Sequence, residues 1–182
     1  PRRQELCVSG LTQEHKITKI EDIRTQFITC AAIETYFAWL KYKETNTEAD
    51  NELQTGNIPE GFKRQMYYTF GDYRDIFFGT DITSHANILE GLKKRVKKKL
   101  KEKNGEQKSV IIIDDEKLLP EWWNKHGKDI WEGMLCALTH DVNKTEKKSE
   151  IKTKYSYEEL NEKTNGITSL EEFSSRPQFL SW

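Results

Sequence analysis

Apolar residues spaced three and four apart, in four separate stretches, constrain this chain more than any other feature. In residues 59–78, Phe62, Met66, Phe70, Tyr73 and Phe77 fall on one side of a helix. In residues 19–44 the same stepping links Ile20, Ile23, Phe27, Cys30, Ile33, Phe37 and Leu40. Residues 86–103 carry a narrower stripe of Ile88, Leu92, Val96 and Leu100, and residues 120–139 carry Trp123, Ile130, Trp131, Met134 and Leu138. A helix with one apolar stripe must bury it against another element. The pattern therefore predicts an all-α fold, a bundle of four main helices with long loops.

Local signals punctuate those helices. Thr18 and Glu21 have capping-box spacing at the start of the first stretch, and the polar residues 45–56 end it. Pro59 suits a first helical turn, where its missing N–H would have no partner anyway. Gly71 inside the second helix costs about 1 kcal/mol against alanine, which a close helix–helix approach would offset. Gly79 is placed for a left-handed cap. Residues 104–119 read as a loop, and 155–160 and 170–173 as short helices. The tail Arg176-Pro177-Gln178-Phe179-Leu180-Ser181-Trp182 ends on apolar side chains that need a packing partner. There is no internal repeat and no sustained heptad.

Composition excludes several functions. Basic and acidic residues nearly cancel at a formal net charge of −1, so no global field favours nucleic acid. The longest apolar run, Val110-Ile111-Ile112-Ile113, is far too short to span a bilayer, so no direct membrane insertion is expected. The chain begins without a methionine and inside a motif, and is expected to be a piece of something larger. Its three cysteines allow at most one internal pair.

Candidate sites are few. Lys93, Lys94, Arg95, Lys97, Lys98, Lys99, Lys101 and Lys103 crowd one helix, leaving about +7 after Glu102 is counted. Such a helix can hold a polyanion by counterion release, although a solvated lysine face gives the same pattern. Cys136 and His140 lie one turn apart, as two metal ligands can, but no further ligands join them and no metal is expected. Cys30 or Cys136 could meet His85, His126 or His140 as a nucleophile pair, yet both cysteines fall on apolar stripes where thiols are inert. Asp114, Asp115 and Glu116 lack the spacing of a calcium loop, and no glycine loop cradles a phosphate. No cofactor and no enzymatic activity are expected. Trp122-Trp123 reads as core rather than as an exposed platform, with only one of the two able to face the core fully. Asn143-Lys144-Thr145 is a glycosylation sequon and points to exposure.

Several separated motifs together resemble a known family. They are Pro1-Arg2-Arg3-Gln4-Glu5-Leu6-Cys7, Phe27-Ile28-Thr29-Cys30-Ala31-Ala32-Ile33-Glu34-Thr35-Tyr36-Phe37-Ala38-Trp39, residues 62–82 with Phe70-Gly71-Asp72-Tyr73, residues 122–138 with Trp122-Trp123, and residues 170–182. In this order they resemble the Duffy-binding-like domain of the Plasmodium falciparum erythrocyte membrane protein family, nearest its beta and delta subtypes. The resemblance implies that residues 1–182 form a partial domain. They would hold the helix-bundle second subdomain, with 170–182 leading into a truncated third. It implies an extracellular module of a variant surface adhesin on infected erythrocytes, anchored by a transmembrane segment outside this chain. The implied partners are a host receptor protein such as an adhesion molecule or immunoglobulin, or a glycosaminoglycan, together with host antibodies and adjacent domains of the adhesin. Core residues would include Phe27, Ile33, Phe37, Phe70, Tyr73, Phe77, Trp123, Trp131 and Met134. An oxidising compartment further implies a Cys30–Cys136 disulfide, whose long loop would stabilise the fold by roughly 4 to 5 kcal/mol. Cys7 would then be unpaired or bonded outside the fragment, with Cys7–Cys136 as the competing bond.

Overall fold

The stripes close on one another as expected, and the fold is all-α. The computed structural model describes residues 6–80, 86–105, 115–162 and 168–176, and contains no strand among them. Four long helices form the core: α2 (Ile20–Thr45), α4 (Glu60–Phe78), α5 (Ala86–Gly105) and α6 (Asp115–Leu138). Short helices surround them: α1 (Ser9–Thr12), α3 (Ala49–Gln54), α7 (Thr145–Lys154), α8 (Tyr157–Asn161) and α9 (Leu170–Ser175).

Paired contacts fix the helix directions. Arg24 meets Asp129 at 2.7 Å and the Tyr36 ring meets His140 at 6.2 Å, so α2 and α6 run parallel. Between these points Gly133 lies against Ile28, where a Cβ would come within 2.7 Å of Ile28 Cγ2. Helix α4 runs antiparallel to both. Its Phe62 packs on Trp39 and its Phe77 on Phe27, while Phe70 reaches Trp131 and Phe77 reaches Trp122.

Capping follows the predicted places but not always the predicted residues. Asp22, not Glu21, closes the start of α2, accepting from the backbone N–H of Lys19 at 2.8 Å and of Thr18 at 2.9 Å. Its shorter side chain at the third helical position spans the gap. Those hydrogen bonds, from Lys19 first, hold the Asp22 carboxyl below its ordinary pKa of 3.8. Gly79 ends α4 at φ 68° and ψ 30°, as its sequence position predicted. Helix α6 starts five residues before Pro120, so the proline sits inside it. Leu118 and Leu119, within the expected loop, are buried there. Residues 106–114, the rest of that loop, lie outside the described residues.

The core expectations hold on α4, α5 and α6. Phe62, Met66, Phe70, Tyr73, Phe77, Leu92, Val96, Leu100, Trp123, Trp131 and Met134 are all buried. Two calls on α2 are corrected: Ile33 is 40% exposed and Phe37 63% exposed. Past Cys30 the buried line follows Ala31, Thr35 and Trp39 in four-residue steps, and Thr35 satisfies its hydroxyl on the Ala31 carbonyl at 2.8 Å. The line turns because Phe62 of α4 covers Trp39 and Tyr42 on that side. The tryptophan pair is core as expected, but both Trp122 and Trp123 are buried rather than only one. Trp122 stacks on Phe77 at 4.6 Å and Trp123 packs on Phe70 at 5.4 Å, so α6 buries two adjacent positions against one aromatic row.

Truncating the core should separate these positions from the exposed ones. Phe70→Ala is expected to destabilise the fold by roughly 3 to 5 kcal/mol. Phe37→Ser should stay within about 0.5 kcal/mol. Urea unfolding of the two variants beside the parent chain checks both values.

Candidate functional site

Helix α5 displays the basic cluster on a face left over from packing. Leu92, Val96 and Leu100 turn inward, Lys94, Lys98 and Lys101 are exposed, and Lys93, Arg95, Lys97 and Lys99 are half-buried. The side chain of Lys103 lies outside the described residues. The cluster is not uniformly available to a ligand. Lys94 pairs with Glu90 at 3.0 Å, and Arg95 Nη2 donates to the Leu11 carbonyl at 3.3 Å, tying α5 to α1.

The cysteines are arranged differently from the expected pairing. All three thiols are free, Cys136 is exposed on α6, and Cys30 is buried on α2. Cys30 Sγ turns toward Gly10, whose added Cβ would meet it at 3.3 Å, and its neighbour on that side is the Cys7 thiol. The structure thus sets Cys30 against Cys7 and not against Cys136, because the α1 segment folds over the inner side of α2. Between the two cysteines stands Tyr73, whose hydroxyl donates to the carbonyls of Cys7 at 2.7 Å and Cys30 at 3.1 Å. Burial, aided by nearby negative groups, keeps that phenol well above its ordinary pKa and so protonated as a donor.

No arrangement for catalysis appears among the described residues. No group of three or more metal-ligating side chains forms there. Cys136 and His140 are both exposed, and His140 hydrogen-bonds Asp141 at 2.8 Å. His126 instead joins Asp129 at 3.3 Å, beside Arg24. Among the described residues, two open depressions stand out. One of about 290 Å³ is lined by Arg24, Leu100, Trp122 and His126, the other of about 370 Å³ by Arg74, Trp123, Ser169 and Glu171. In the second, the Ser169 hydroxyl is taken up as the cap of α9, accepting from the Glu172 N–H at 3.2 Å. His85 lies outside the described residues, and no described helix is long and apolar enough to cross a membrane.

Sequence reasoning missed the helices α3 and α7. Both are short and rich in charge, and each buries only one or two apolar residues, Ala49 and Leu53 on α3 and Ile151 on α7, beside its polar contacts. Gln54 of α3 bonds the Asp141 carbonyl and the Asn143 N–H, at 3.1 and 3.0 Å. The exposure expected of the Asn143 sequon is borne out, immediately before α7. Tyr155 accepts at its carbonyl from Trp131 Nε1 at 2.8 Å, and its hydroxyl accepts from Ile58 N–H at 3.1 Å.

The described residues thus form a closely packed helical core with charged outer faces. The model of the Duffy binding domain matches residues 1–179, and the chain belongs to that family, whose members are receptor-binding adhesion modules. No curated protein and no solved structure matches the chain.

The Arg24–Asp129–His126 contact makes stability depend on pH. Burial opposes the charge on Asp129, but hydrogen bonds from Arg24 and His126 outweigh it and hold the carboxyl below 3.8. Burial also lowers His126 below 6.5, although Asp129 pulls the other way. Both groups bind protons more readily when unfolded, so their contribution is present above those values and lost on acidification. The urea midpoint should fall as pH drops below about 6.5 and again below about 3.8. In Asp129→Asn the lower step should shrink, which a pH series of urea melts would show.

Proposed function

We propose that this chain is a host receptor-binding module of a parasite variant surface adhesin, displayed on infected erythrocytes and serving cytoadhesion. The match of the Duffy binding domain to residues 1–179 carries this reading. The exposed charged faces and the lack of a catalytic constellation among the described residues support it. On this reading residues 1–182 are the helix-bundle second subdomain of a beta- or delta-type domain, with 170–182 leading into the third. The receptor is a host adhesion molecule or an immunoglobulin. Host antibodies and adjacent domains of the adhesin are further partners, and the membrane anchor lies outside this chain.

A second reading is glycosaminoglycan binding through α5, favoured by the exposed Lys94, Lys98 and Lys101 with half-buried Lys93, Lys97 and Lys99 beside them. Lysine is a point charge without arginine's planar fork, so such binding would be strong at low salt and undiscriminating.

Salt separates the two. Immobilised adhesion molecules, immunoglobulin and sulfated glycosaminoglycans are each titrated with the chain from 50 to 200 mM salt. A protein interface should weaken less than about tenfold across that range. A polyanion complex should weaken on the order of a hundredfold. The triple variant K94E/K98E/K101E should abolish glycosaminoglycan binding and leave the protein receptor bound. Glycosaminoglycan binding alone, with every protein receptor silent, would overturn the first reading in favour of the second.

A further inference from the structure

We propose that Cys7 and Cys30 form a disulfide in the oxidised protein, fastening the α1 segment to α2, while Cys136 stays a free thiol. Four observations converge on this pair. The two thiols are neighbours close enough to act on each other's charge, and the Tyr73 hydroxyl holds both carbonyls, at 2.7 and 3.1 Å. Cys7 N–H donates to Glu34 Oε2 at 3.0 Å, one turn beyond Cys30 on α2. Gly10 leaves room at the sulfur, since a side chain there would press on Cys30 Sγ at 3.3 Å. The backbones are thus held close from two directions, as the short span of a disulfide requires.

The chemistry balances with a disulfide oxidant, such as oxidised glutathione. The more accessible Cys7 sulfur exchanges with the oxidant to give a mixed disulfide and one thiol. Cys30 then displaces the second thiol, forming the Cys7–Cys30 bond; the two cysteine protons end on the two released thiols, and the two electrons reduce the oxidant's own disulfide. Burial first, then the neighbouring Cys7, pushes the Cys30 thiol up to about 11, so it meets solvent reagents poorly and the half-buried Cys7 reacts first. Cys136 has no such neighbour: its surface faces solvent on α6.

The bond would act on more than the amino-terminal segment. Leu11 of α1 is fully buried and its carbonyl receives Arg95 of the basic helix, so fastening α1 also steadies α5. A loop of roughly two dozen residues is closed, which at this chain length translates to a melting shift of roughly 5 to 10 °C.

The test is non-reducing peptide mapping of the chain refolded with oxidised and reduced glutathione, free thiols being alkylated first. The expected product is a linked Cys7–Cys30 peptide with Cys136 alkylated. A Cys30–Cys136 or Cys7–Cys136 linkage, or alkylation of both Cys7 and Cys30, overturns the proposal. Thermal melts supply a second readout. Reductant should lower the melting temperature of the parent and of Cys136→Ser alike by roughly 5 to 10 °C, and should leave Cys7→Ser unmoved. An equal drop in Cys7→Ser would count against the bond, because that variant cannot form it.

Discussion

The row of aromatic rings that α4 presents to its neighbours is the interaction on which the rest depends. Phe77 meets Phe27 of α2 edge-on at 5.6 Å and stacks on Trp122 of α6 at 4.6 Å. Phe70 contacts Trp123 and Trp131 at 5.4 and 5.8 Å, and Phe62 closes the far end on Trp39 at 4.9 Å. Large rings bury much area per residue, and offset or edge-on pairs add to it. That concentration matters in a chain only 35% hydrophobic, because a few aromatic positions then carry the core and the charged residues remain outside. It also orders the topology. With α4 antiparallel to both α2 and α6, those two are left parallel, and a direct α2–α6 seam with Gly133 against Ile28 follows.

The parts of this fold legible in sequence are those where one periodicity persists along a whole helix. Helices α4, α5 and α6 satisfy that condition. Helix α2 does not: its residues offer both a path of alternating three and four steps through Cys30, Ile33, Phe37 and Leu40 and a strict four-step path through Ala31, Thr35 and Trp39. The first looks more hydrophobic, and tertiary structure selects the second because α4 covers only that side. A buried threonine bonding its own helix carbonyl hides the correct line from a hydropathy reading. The burial of the second adjacent tryptophan was illegible for a related reason. One helix face is narrow, but α6 is covered along two neighbouring directions, and wide side chains fill both.

The candidate sites were legible as inventory and less so as geometry. The basic residues of α5 could be counted, but not that Arg95 would be spent on the Leu11 carbonyl. The cysteines could be counted too, while their neighbours depended on where a short segment before α2 folds back. That fold-back is set by polar contacts with no sequence period: the Tyr73 hydroxyl on two carbonyls and the Glu34 carboxylate on Cys7 N–H. Tyr155 and Gln54 do similar work for α7 and α3. Buried polar groups require partners, so such residues locate irregular segments as firmly as stripes locate helices, but only once three-dimensional neighbours are known.

Helix α5 shows why this architecture suits recognition. Every fourth residue from Leu92 is committed to the core, and the positions between face outward or lie half-buried. Exposed side chains on such a helix can change sign or size with little effect on stability. The core needs only the inward stripe, so surface and fold are set by separate residues. An enzyme cannot separate them in this way, since its acid, base and nucleophile must be held in mutual register by the core itself. A binding module requires only that its surface be presented on rigid elements, and here the aromatic row supplies that rigidity from the opposite side of the helices.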